Sequence, residues 1–453
     1  MSTRAQFSSR LGMIAATVGS AVGLGNVWRF PAEVQANGGA AFLLIYILCV
    51  LLLGIPVMLA EFSVGRAGRS DAVGALKNIG ASRPWQSVGW LAVLASYLIL
   101  CFYMVVAGWT FEYLIQSVTG ALYSGDAAGS GLHAHFTGKM DEYVTDSVNP
   151  LINTFIMIAV NILVLLAGVR KGIERMSNWC MPLLFAILVV FVGVSLTLPG
   201  AGAGLDYFLH PDFSKINATV IVSALGQAFF SLSLGMGILI TYAGYFSDKT
   251  NLLKTSVTVS LLDMLVAVMM GLIIFPAVTT FGLSGEDMRG ATLVFVTLPE
   301  VFSQMAATQV WSVLFFLLLT VAALTSTISI AEVSVAFVAD RFHIRRRYAV
   351  LIMLCPLFLF SSVCSLSLGP WSNVLIAGHT IFDFLDMCAT NIMLPVGSIL
   401  LCIFVGWFAP RNLMTDQLAM GGSLRSRLYA PVCFIVRYVA PLLIAMVLIS
   451  AFL

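Results

Sequence analysis

An apolar stretch near the amino terminus is interrupted by residues that a membrane helix normally excludes. Residues 19–31 read GSAVGLGNVWRFP, which places three glycines, Asn26 and Arg29 among apolar neighbours. Glycine weakens helix continuity, and an arginine at membrane depth costs about 2.5–3.5 kcal/mol. Non-helical backbone in a membrane is tolerated only where it lines a cavity or is covered by protein. The segment therefore predicts a broken membrane helix that forms half of a binding site.

A second interruption of the same kind lies later in the chain. Residues 226–237 read GQAFFSLSLGMG, in which Ser231 and Ser233 precede the glycines at 235 and 237. The two interruptions fall in the first and sixth predicted spans, which cross the membrane in opposite directions. Paired broken spans at corresponding positions indicate an inverted-repeat carrier with its site at the midplane. The alternative, two glycine kinks for close helix packing, does not explain the polar residues beside the glycines.

The elements that position these residues are membrane helices. The chain has 453 residues, of which 60% are hydrophobic and only 10% are charged, whereas about 25% of residues are charged in soluble domains. We predict an all-α polytopic membrane protein built as an inverted five-plus-five helix repeat, with repeats at 1–198 and 199–408 and an eleventh span within 409–453. The predicted spans are 11–35, 41–66, 87–118, 151–169, 178–198, 217–245, 254–281, 308–340, 348–367, 373–408 and 429–452.

Positive charge predicts the orientation. With the amino terminus inside, 18 of the 23 Lys and Arg residues fall on the cytoplasmic side and three fall in outer loops. Such a bias sets topology, so the carboxyl terminus is expected outside the cell and the protein in the plasma membrane. The outer loops 119–150 and 282–307 and the stretch 198–212 are either solvated connections or a lid over an outer vestibule.

The composition argues against several other classes of protein. The eight cysteines lie in or beside apolar segments without CxxC spacing, and the five histidines are scattered, so neither a disulfide framework nor a metal cluster is expected. The sequence shows no nucleophile–base arrangement of the kind that would indicate an enzyme. A net charge of +2 gives no reason to expect a nucleic-acid partner. The lipid bilayer is an expected partner, and no obligatory protein partner is evident.

Residues 19–31, 227–237 and 322–330 resemble spans one, six and eight of the neurotransmitter:sodium symporter family. The chain is most similar to the bacterial amino-acid branch, particularly to transporters of several hydrophobic amino acids, from Arg4 to the eleventh span. The resemblance implies sodium-coupled import of aliphatic and aromatic L-amino acids by alternating access. A proton-coupled or exchange carrier of the same fold, and a nutrient receptor that does not transport, are the alternatives.

The resemblance implies two sodium sites, and oxygen ligands suit a hard cation. The first would use the Ala21 carbonyl with Asn26, Ser231 and Asp263. The second would use the carbonyls of Gly19, Val22 and Ala322 with the hydroxyls of Thr325 and Ser326. The alternatives are that those two hydroxyls bond to their own helix and that Asp263 pairs with another group. Asp263 stands where the family usually has asparagine, so its charge is expected to replace the chloride of animal members.

The resemblance also implies the substrate pocket. Its members are Ala21, Gly23, Leu24, Gly25, Ile99, Tyr103, Phe230, Ser231, Ser233, Met236, Ser326 and Ile330. Monoamine transporters carry an aspartate at the position of Gly23, so here the ligand should bring its own carboxylate, as an α-amino acid does. Met236 is flexible and flanked by glycines, which favours a broad hydrophobic substrate range.

The gates and a hinge are implied in the same way. Arg29 and Asp386 would pair above the substrate, with Asp383 as the alternative acid. Arg4 and Asp340 would pair on the cytoplasmic side near Tyr245, unless they are ordinary surface charges. Gly172 and Pro182 match the spacing at which the family unwinds span five, although Pro182 could simply mark a helix start. Glu61 is expected to bond amides freed by the break in span six, and the role of Glu332 is left open.

Overall fold

The computed structural model describes residues 6–124, 131–283, 290–419 and 429–450. Within them, nine helices are long and apolar enough to cross a membrane. A tenth span is a pair of helices bent by 55° at the first predicted break. The sixth span consists of two shorter helices on either side of the second break. The predicted all-α polytopic fold, with spans one and six discontinuous, is therefore confirmed.

The spans have the following bounds. Span 1 comprises Arg10–Ala21, Gly25–Arg29 and Phe30–Ala36; spans 2 to 5 are Ala40–Gly68, Arg83–Thr119, Asn149–Leu166 and Val169–Ser195; span 6 comprises Ala218–Ser231 and Ile238–Ala243; spans 7 to 11 are Leu252–Phe281, Thr308–Phe342, Arg346–Leu366, Ile381–Phe408 and Tyr429–Ser450. Shorter helical segments are Ala72–Asn78, Ala121–Tyr123, Leu132–Thr145, Ala201–Leu209, Phe213–Lys215, Gly290–Thr292, Leu293–Thr297, Leu298–Ser303 and Leu413–Ala419.

Span 10 begins later than predicted. Residues 373–380, assigned to the span by hydropathy, instead contain a hairpin in which Leu375–Ile376 pairs antiparallel with His379–Thr380. Its turn places Ala377 and Gly378 at φ of 52° and 84°. Two consecutive positive φ angles match the tight turn that suits the twist of paired strands.

The outer connections pack into the protein. All five residues of Leu293–Thr297 are buried, and the ring of Phe295 lies 4.9 Å from Tyr113 and 5.9 Å from Trp109. In helix Ala201–Leu209, Phe208 is fully buried against Phe275 at 5.2 Å. Leu293–Thr297 is therefore part of the core, whereas Ala201–Leu209 inserts Phe208 into the core and leaves Asp206 and Leu209 exposed. The choice between a solvated connection and a lid stays open for both segments.

Burial separates central from peripheral spans. In the most apolar window of each helix, 78% of residues are buried in span 8 but only 22% in span 11. Span 8 makes its most extensive contacts with span 3, and it also packs against span 1. The broken helices are thus held against two long continuous ones, and span 11 lies at the edge. The repeat boundaries at 198 and 408 fall between helices and stay a prediction.

Candidate functional site

The break in span 1 leaves peptide groups free near the middle of the bundle. Helix Arg10–Ala21 ends where Val22 turns extended, at φ −71° and ψ 104°. The chain resumes as a π-helical turn over Gly25–Arg29, and the Asn26 amide donates to the Gly23 carbonyl at 3.2 Å. Because the helix ladder is interrupted here, the carbonyl end of one half and the amide end of the other face the same space.

The break in span 6 is stabilised by a buried acid. Ser233, Gly235 and Gly237 all take positive φ, at 54°, 78° and 72°. The freed amide of Gly235 donates to Glu61 Oε1 at 2.7 Å, which is the contact expected from the sequence. A Cβ on Gly235 would lie 2.7 Å from the Leu394 carbonyl oxygen, so neither the conformation nor the space suits a larger residue.

A cavity of about 50 Å³ lies between the two breaks. Eleven of the twelve predicted substrate residues line it, namely Ala21, Gly23, Gly25, Ile99, Tyr103, Phe230, Ser231, Ser233, Met236, Ser326 and Ile330. The twelfth, Leu24, lies beside it, and its amide donates to the Tyr103 hydroxyl at 3.3 Å. Sequence reasoning missed four lining residues: Ser20, Phe102, Thr390 and Asp386, the last of which had been assigned only to a gate.

The hydroxyl groups of the cavity gather at the breaks. A Cβ on Gly23 would lie 2.7 Å from Ser326 Oγ and 3.2 Å from the Tyr103 hydroxyl oxygen. The Ser233 hydroxyl donates to the Ser20 carbonyl at 2.8 Å, which joins the two broken spans. Free amides and hydroxyls at one end of an apolar cavity are suited to bind a carboxylate, and free carbonyls are suited to bind an ammonium group.

The residues predicted for the first ion lie in one hydrogen-bonded cluster. Asn26 Nδ2 donates to Asp263 Oδ1 at 2.9 Å and to Ser231 Oγ at 3.1 Å, and Ser231 Oγ donates to Asp263 Oδ2 at 2.6 Å. All three side chains are at most 1% exposed. No Lys, Arg or His among the described residues forms an ion pair with Asp263. The alternative that Asp263 is paired with a cationic side chain is therefore not observed among these residues. A buried carboxylate without such a partner calls for a cation or a proton.

The second predicted cluster joins span 1 to span 8. The Ser326 hydroxyl donates to the Val22 carbonyl at 3.4 Å, and a Cβ on Gly19 would lie 3.3 Å from Thr325 Cβ. Thr325 Oγ1 donates to carbonyls of its own helix, Ala322 among them at 3.0 Å, as the alternative interpretation held. A hydroxyl that donates in this way still has lone pairs for a cation, so this geometry is compatible with a sodium site.

The sequence comparisons decide the family. The sequence pattern described as the sodium:neurotransmitter symporter family matches residues 4–130 and 132–453, which is nearly the whole chain. The protein belongs to the sodium:neurotransmitter symporter family. It is therefore a sodium-coupled membrane transporter and not an enzyme.

Two bacterial relatives and one solved structure match this symporter over nearly their whole length. It is 33% identical over 446 residues to an uncharacterised sodium-dependent transporter of Bacillus subtilis, covering 98% of this chain and 97% of that one. It is 35% identical over 457 residues to another from Haemophilus influenzae, covering 99% and 98%. Among solved structures, MhsT in complex with L-phenylalanine is 40% identical with a TM-score of 0.89, covering 99% of this chain and 100% of that one.

An aromatic ring borders one side of the symporter's cavity. Phe230 lines both the central cavity and a wider one of about 620 Å³. Gly25 permits its close approach, since a Cβ there would lie 2.7 Å from the Phe230 ring. The Arg29 guanidinium carbon lies 4.7 Å from the ring centroid. Phe230 therefore separates a wide vestibule from a narrow site.

The predicted outer ion pair is not formed. Among the described residues Arg29 is within ion-pair distance only of Glu33, with Nε 3.8 Å from Oε1, one helical turn away. Asp386 Oδ1 accepts from the Thr390 hydroxyl at 3.2 Å instead, and Asp383 Oδ2 accepts from the Thr380 hydroxyl at 2.7 Å. The Arg29 guanidinium lies over the Phe230 ring instead, so the gate pairing of Arg29 with Asp386 or Asp383 stays a prediction.

On the opposite side, Arg4 lies outside the described residues, so its pairing with Asp340 stays a prediction. Asp340 Oδ2 accepts from the Asp71 amide at 3.0 Å. Burial raises the pKa of Asp71 above its usual value, and the charge of Asp340 raises it further.

Tyr245 contacts a different acid. Its hydroxyl donates to Glu332 Oε1 at 2.6 Å. Glu332, whose role the sequence left open, accepts two hydrogen bonds from Arg346, at 2.7 and 2.6 Å. A paired, fully buried carboxylate of this kind fixes the ends of three spans relative to one another.

The predicted hinge is helical throughout in this structure. Gly172 lies in a π-helical turn, Val169–Glu174, and Pro182 lies inside the helix Arg175–Ser195 that follows. Pro182 thus does not mark a helix start, which removes that alternative. The proposed unwinding of the segment stays a prediction.

Proposed function

We propose that this symporter imports hydrophobic L-amino acids, both aliphatic and aromatic, with two sodium ions and without chloride. Transport is inward across the plasma membrane by alternating access. The observation that supports this best is the central cavity, whose hydroxyl and peptide groups gather at two broken helices while Ile99, Met236 and Ile330 supply apolar walls. The similarity to MhsT, solved with L-phenylalanine, makes that amino acid the first substrate to test.

The polar groups fit an α-amino acid zwitterion. Its carboxylate would take the Leu24 amide, which now bonds to Tyr103, and would lie at the positive end of the second half of span 1. Gly23 brings no charge to the cavity, so the substrate must supply the negative group. The ammonium group would face the carbonyls of Ala21, Phe230 and Ser231.

Binding of sodium at the two clusters would couple amino-acid uptake to the free energy of sodium entry. The Asn26–Ser231–Asp263 cluster provides an uncompensated carboxylate for one sodium ion, and the oxygens around Thr325 and Ser326 provide a second site. One ion crossing 100 mV contributes about 2.3 kcal/mol, so two ions contribute roughly 4–5 kcal/mol before any concentration gradient. Because Asp263 supplies fixed negative charge, chloride is not needed beside the first ion.

Uptake into proteoliposomes tests the proposal. Radiolabelled L-phenylalanine and L-leucine should accumulate only with an inward sodium gradient, and replacing chloride by gluconate should leave the rate unchanged. Ser326→Ala should reduce uptake at least about tenfold, since it removes an oxygen shared by ion and substrate. The matched control is Ser334→Ala on the same span, because the Ser334 hydroxyl is buried without a hydrogen-bond partner.

Other results would contradict the proposal in different ways. Accumulation driven equally by a proton gradient in potassium would indicate a proton-coupled carrier. Saturable binding without accumulation would indicate a receptor, and preference for glycine or proline would refute the hydrophobic substrate range.

A further inference from the structure

The Glu174 carboxylate on span 5 holds the chain that leads into span 1. Its Oε1 accepts from the Ser8 hydroxyl at 2.7 Å, the Ser9 hydroxyl at 2.9 Å and the Ser9 amide at 3.0 Å. Its Oε2 accepts from the Ser8 amide at 2.8 Å. Hydrogen bonds to an ionised acceptor are roughly twice as strong as neutral ones. Four of them on one carboxylate form a specific attachment between two spans.

Span 1 begins at this attachment. Ser9 is the N-cap of helix Arg10–Ala21, and its hydroxyl oxygen accepts from the Gly12 amide at 2.9 Å. Glu174 thus brings negative charge to the positive end of the helix dipole. A Cβ on Gly12 would overlap the Glu174 side chain, so the close approach depends on glycine at that position.

The same segment is held from its other side by span 6. The Phe7 amide donates to the Tyr245 carbonyl at 3.3 Å, and the Phe7 ring lies 5.9 Å from that of Tyr242. Span 5 adds a further contact, from Arg170 Nε to the Gln6 carbonyl at 2.7 Å. Residues 6–9 are therefore wedged between spans 5 and 6 at the end of the bundle opposite the vestibule.

Span 5 also reaches the second ion cluster. A Cβ on Gly19 would lie 3.5 Å from Met181 Cε and 3.3 Å from Thr325 Cβ. Met181 is only 4% exposed. The inner half of span 5 therefore touches span 1 at its first turn and again beside the ion ligands.

This half of span 5 has weak points in its helix. It starts with the π-helical turn Val169–Glu174, and Pro182 lies inside the following helix. Proline has no N–H, so the carbonyl of Asn178 loses its helical partner. The Asn178 side-chain oxygen is also buried without a hydrogen-bond partner. A helix with these features can rearrange at lower cost than a regular one.

We propose that Glu174 is a positioning residue that locks the beginning of span 1 to span 5, so that the inner route opens only when this contact breaks. Sodium in the second cluster then holds the lock closed, because two of its five predicted ligands, the carbonyls of Gly19 and Val22, lie at the end of the span 1 helix whose beginning Glu174 holds. The inference rests on the proposed function for its second sodium ion. The Glu174 contacts themselves do not depend on it.

Hydrogen–deuterium exchange of the full chain in lipid nanodiscs tests the lock. In wild-type protein the amides of residues 6–21 should exchange more slowly in sodium than in potassium. Glu174→Gln should exchange them about tenfold faster in sodium and raise the sodium concentration for half-maximal substrate binding about tenfold. Glu174→Asp, which keeps the charge, should fall between the two. Asp416→Asn, an exposed carboxylate on helix Leu413–Ala419, is the matched control.

The outcomes separate the lock from a purely structural role. If Glu174→Gln lowers only the thermal midpoint, with the sodium dependence and exchange of residues 6–21 unchanged, the proposal is wrong. If wild-type protein exchanges equally in sodium and potassium and binds substrate equally in both, the proposed function fails. In that case faster exchange in Glu174→Gln alone would still demonstrate the attachment, without its coupling to sodium.

Discussion

Within the part of the chain that the structure describes, three fully buried carboxylates lie among the spans, and each has a different environment. Glu332 is neutralised by two hydrogen bonds from Arg346. Glu61 accepts one backbone amide, and its second oxygen has no partner. Asp263 is surrounded by a serine and an asparagine but by no cationic side chain of the described residues. Of the three, Asp263 is the acid that lies in the cluster predicted to bind the first sodium ion.

The first prediction concerns that charge. Asp263→Asn should reduce sodium-driven uptake at least about tenfold in chloride-free buffer, because a charge-assisted contact to the ion is lost. Chloride should partly restore it by supplying the missing negative charge. Uptake in gluconate and chloride media measures both effects. Asp141→Asn, on an exposed part of helix Leu132–Thr145, should change neither, and an unaltered rate in Asp263→Asn would refute the prediction.

Met236 sets the width of the site. It is 5% exposed and lines a cavity of only about 50 Å³, so an aromatic substrate fits only if this flexible side chain moves. Met236→Phe should lower uptake of phenylalanine at least about tenfold relative to leucine, since overpacking a close-packed site costs about 1–3 kcal/mol. Competition assays measure the ratio. Met236→Leu conserves volume and should leave the ratio within a factor of about two.

At the scale of elements, the breaks were predictable and several contacts were not. Glycines 19, 23 and 25 and glycines 235 and 237 mark the interruptions because backbone flexibility is visible in a sequence. The buried turn Leu293–Thr297 was missed, since its burial depends on rings from distant spans. The Arg29–Asp386 pair is not formed in the structure, where the Arg29 guanidinium lies over the Phe230 ring. No local sequence pattern reveals that contact.

The break in span 6 depends on Gly235. Its φ of 78° lies in the left-handed region, which residues with a side chain rarely adopt. An added Cβ would also lie only 2.7 Å from the Leu394 carbonyl oxygen. Gly235→Ala should therefore destabilise the protein by about 1–3 kcal/mol and lower its thermal midpoint. Gly202→Ala, in helix Ala201–Leu209 with no atom within 4 Å of its Cβ position, is the control and should be neutral or stabilising. A similar midpoint for both variants would contradict this account.

The helix Ala72–Asn78 links pH to stability. Its N-cap, Asp71, accepts from the Val73 and Gly74 amides, and burial raises the pKa of its carboxyl group. A raised pKa means that the fold favours the protonated acid, so this contribution is present at low pH and is lost as pH rises. Asp71→Asn keeps the cap and should raise the thermal midpoint at pH 7.5 but not at pH 4. A shift of equal size at both values would exclude the titration of Asp71 as its cause.

At the scale of the whole molecule, the two sides of the site differ. A cavity of about 620 Å³ lies on one side of Phe230, whereas residues 6–9 fill the other end between spans 5 and 6. The buried span 8 and the long span 3 form the frame against which the broken helices are held. The structure thus has a cavity beside Phe230 at one end, and at the other end the packed segment 6–9 with a second cavity of about 530 Å³ beside it.

Charge predicts which face is which. The predicted topology assigns 18 of the 23 Lys and Arg residues to the cytoplasmic side, so the end that holds residues 6–9 should be cytoplasmic and the wide cavity beside Phe230 should face outward. A protease-cleavable tag at the carboxyl terminus should be removed by protease added to intact cells. A tag at the amino terminus should be cut only after lysis, and the reverse pattern would refute the predicted orientation.

Ser326 belongs to two groups at once, since it lines the cavity and its hydroxyl also meets the Val22 carbonyl in the second cluster. Ser231 has the same double membership on the other side. For any two ligands of one protein, the factor by which sodium tightens amino-acid binding equals the factor by which the amino acid tightens sodium binding, and a shared hydroxyl is one physical source of that factor. Calorimetric titrations in either order of addition must therefore sum to one total free energy, whatever the order in which the two partners bind during transport.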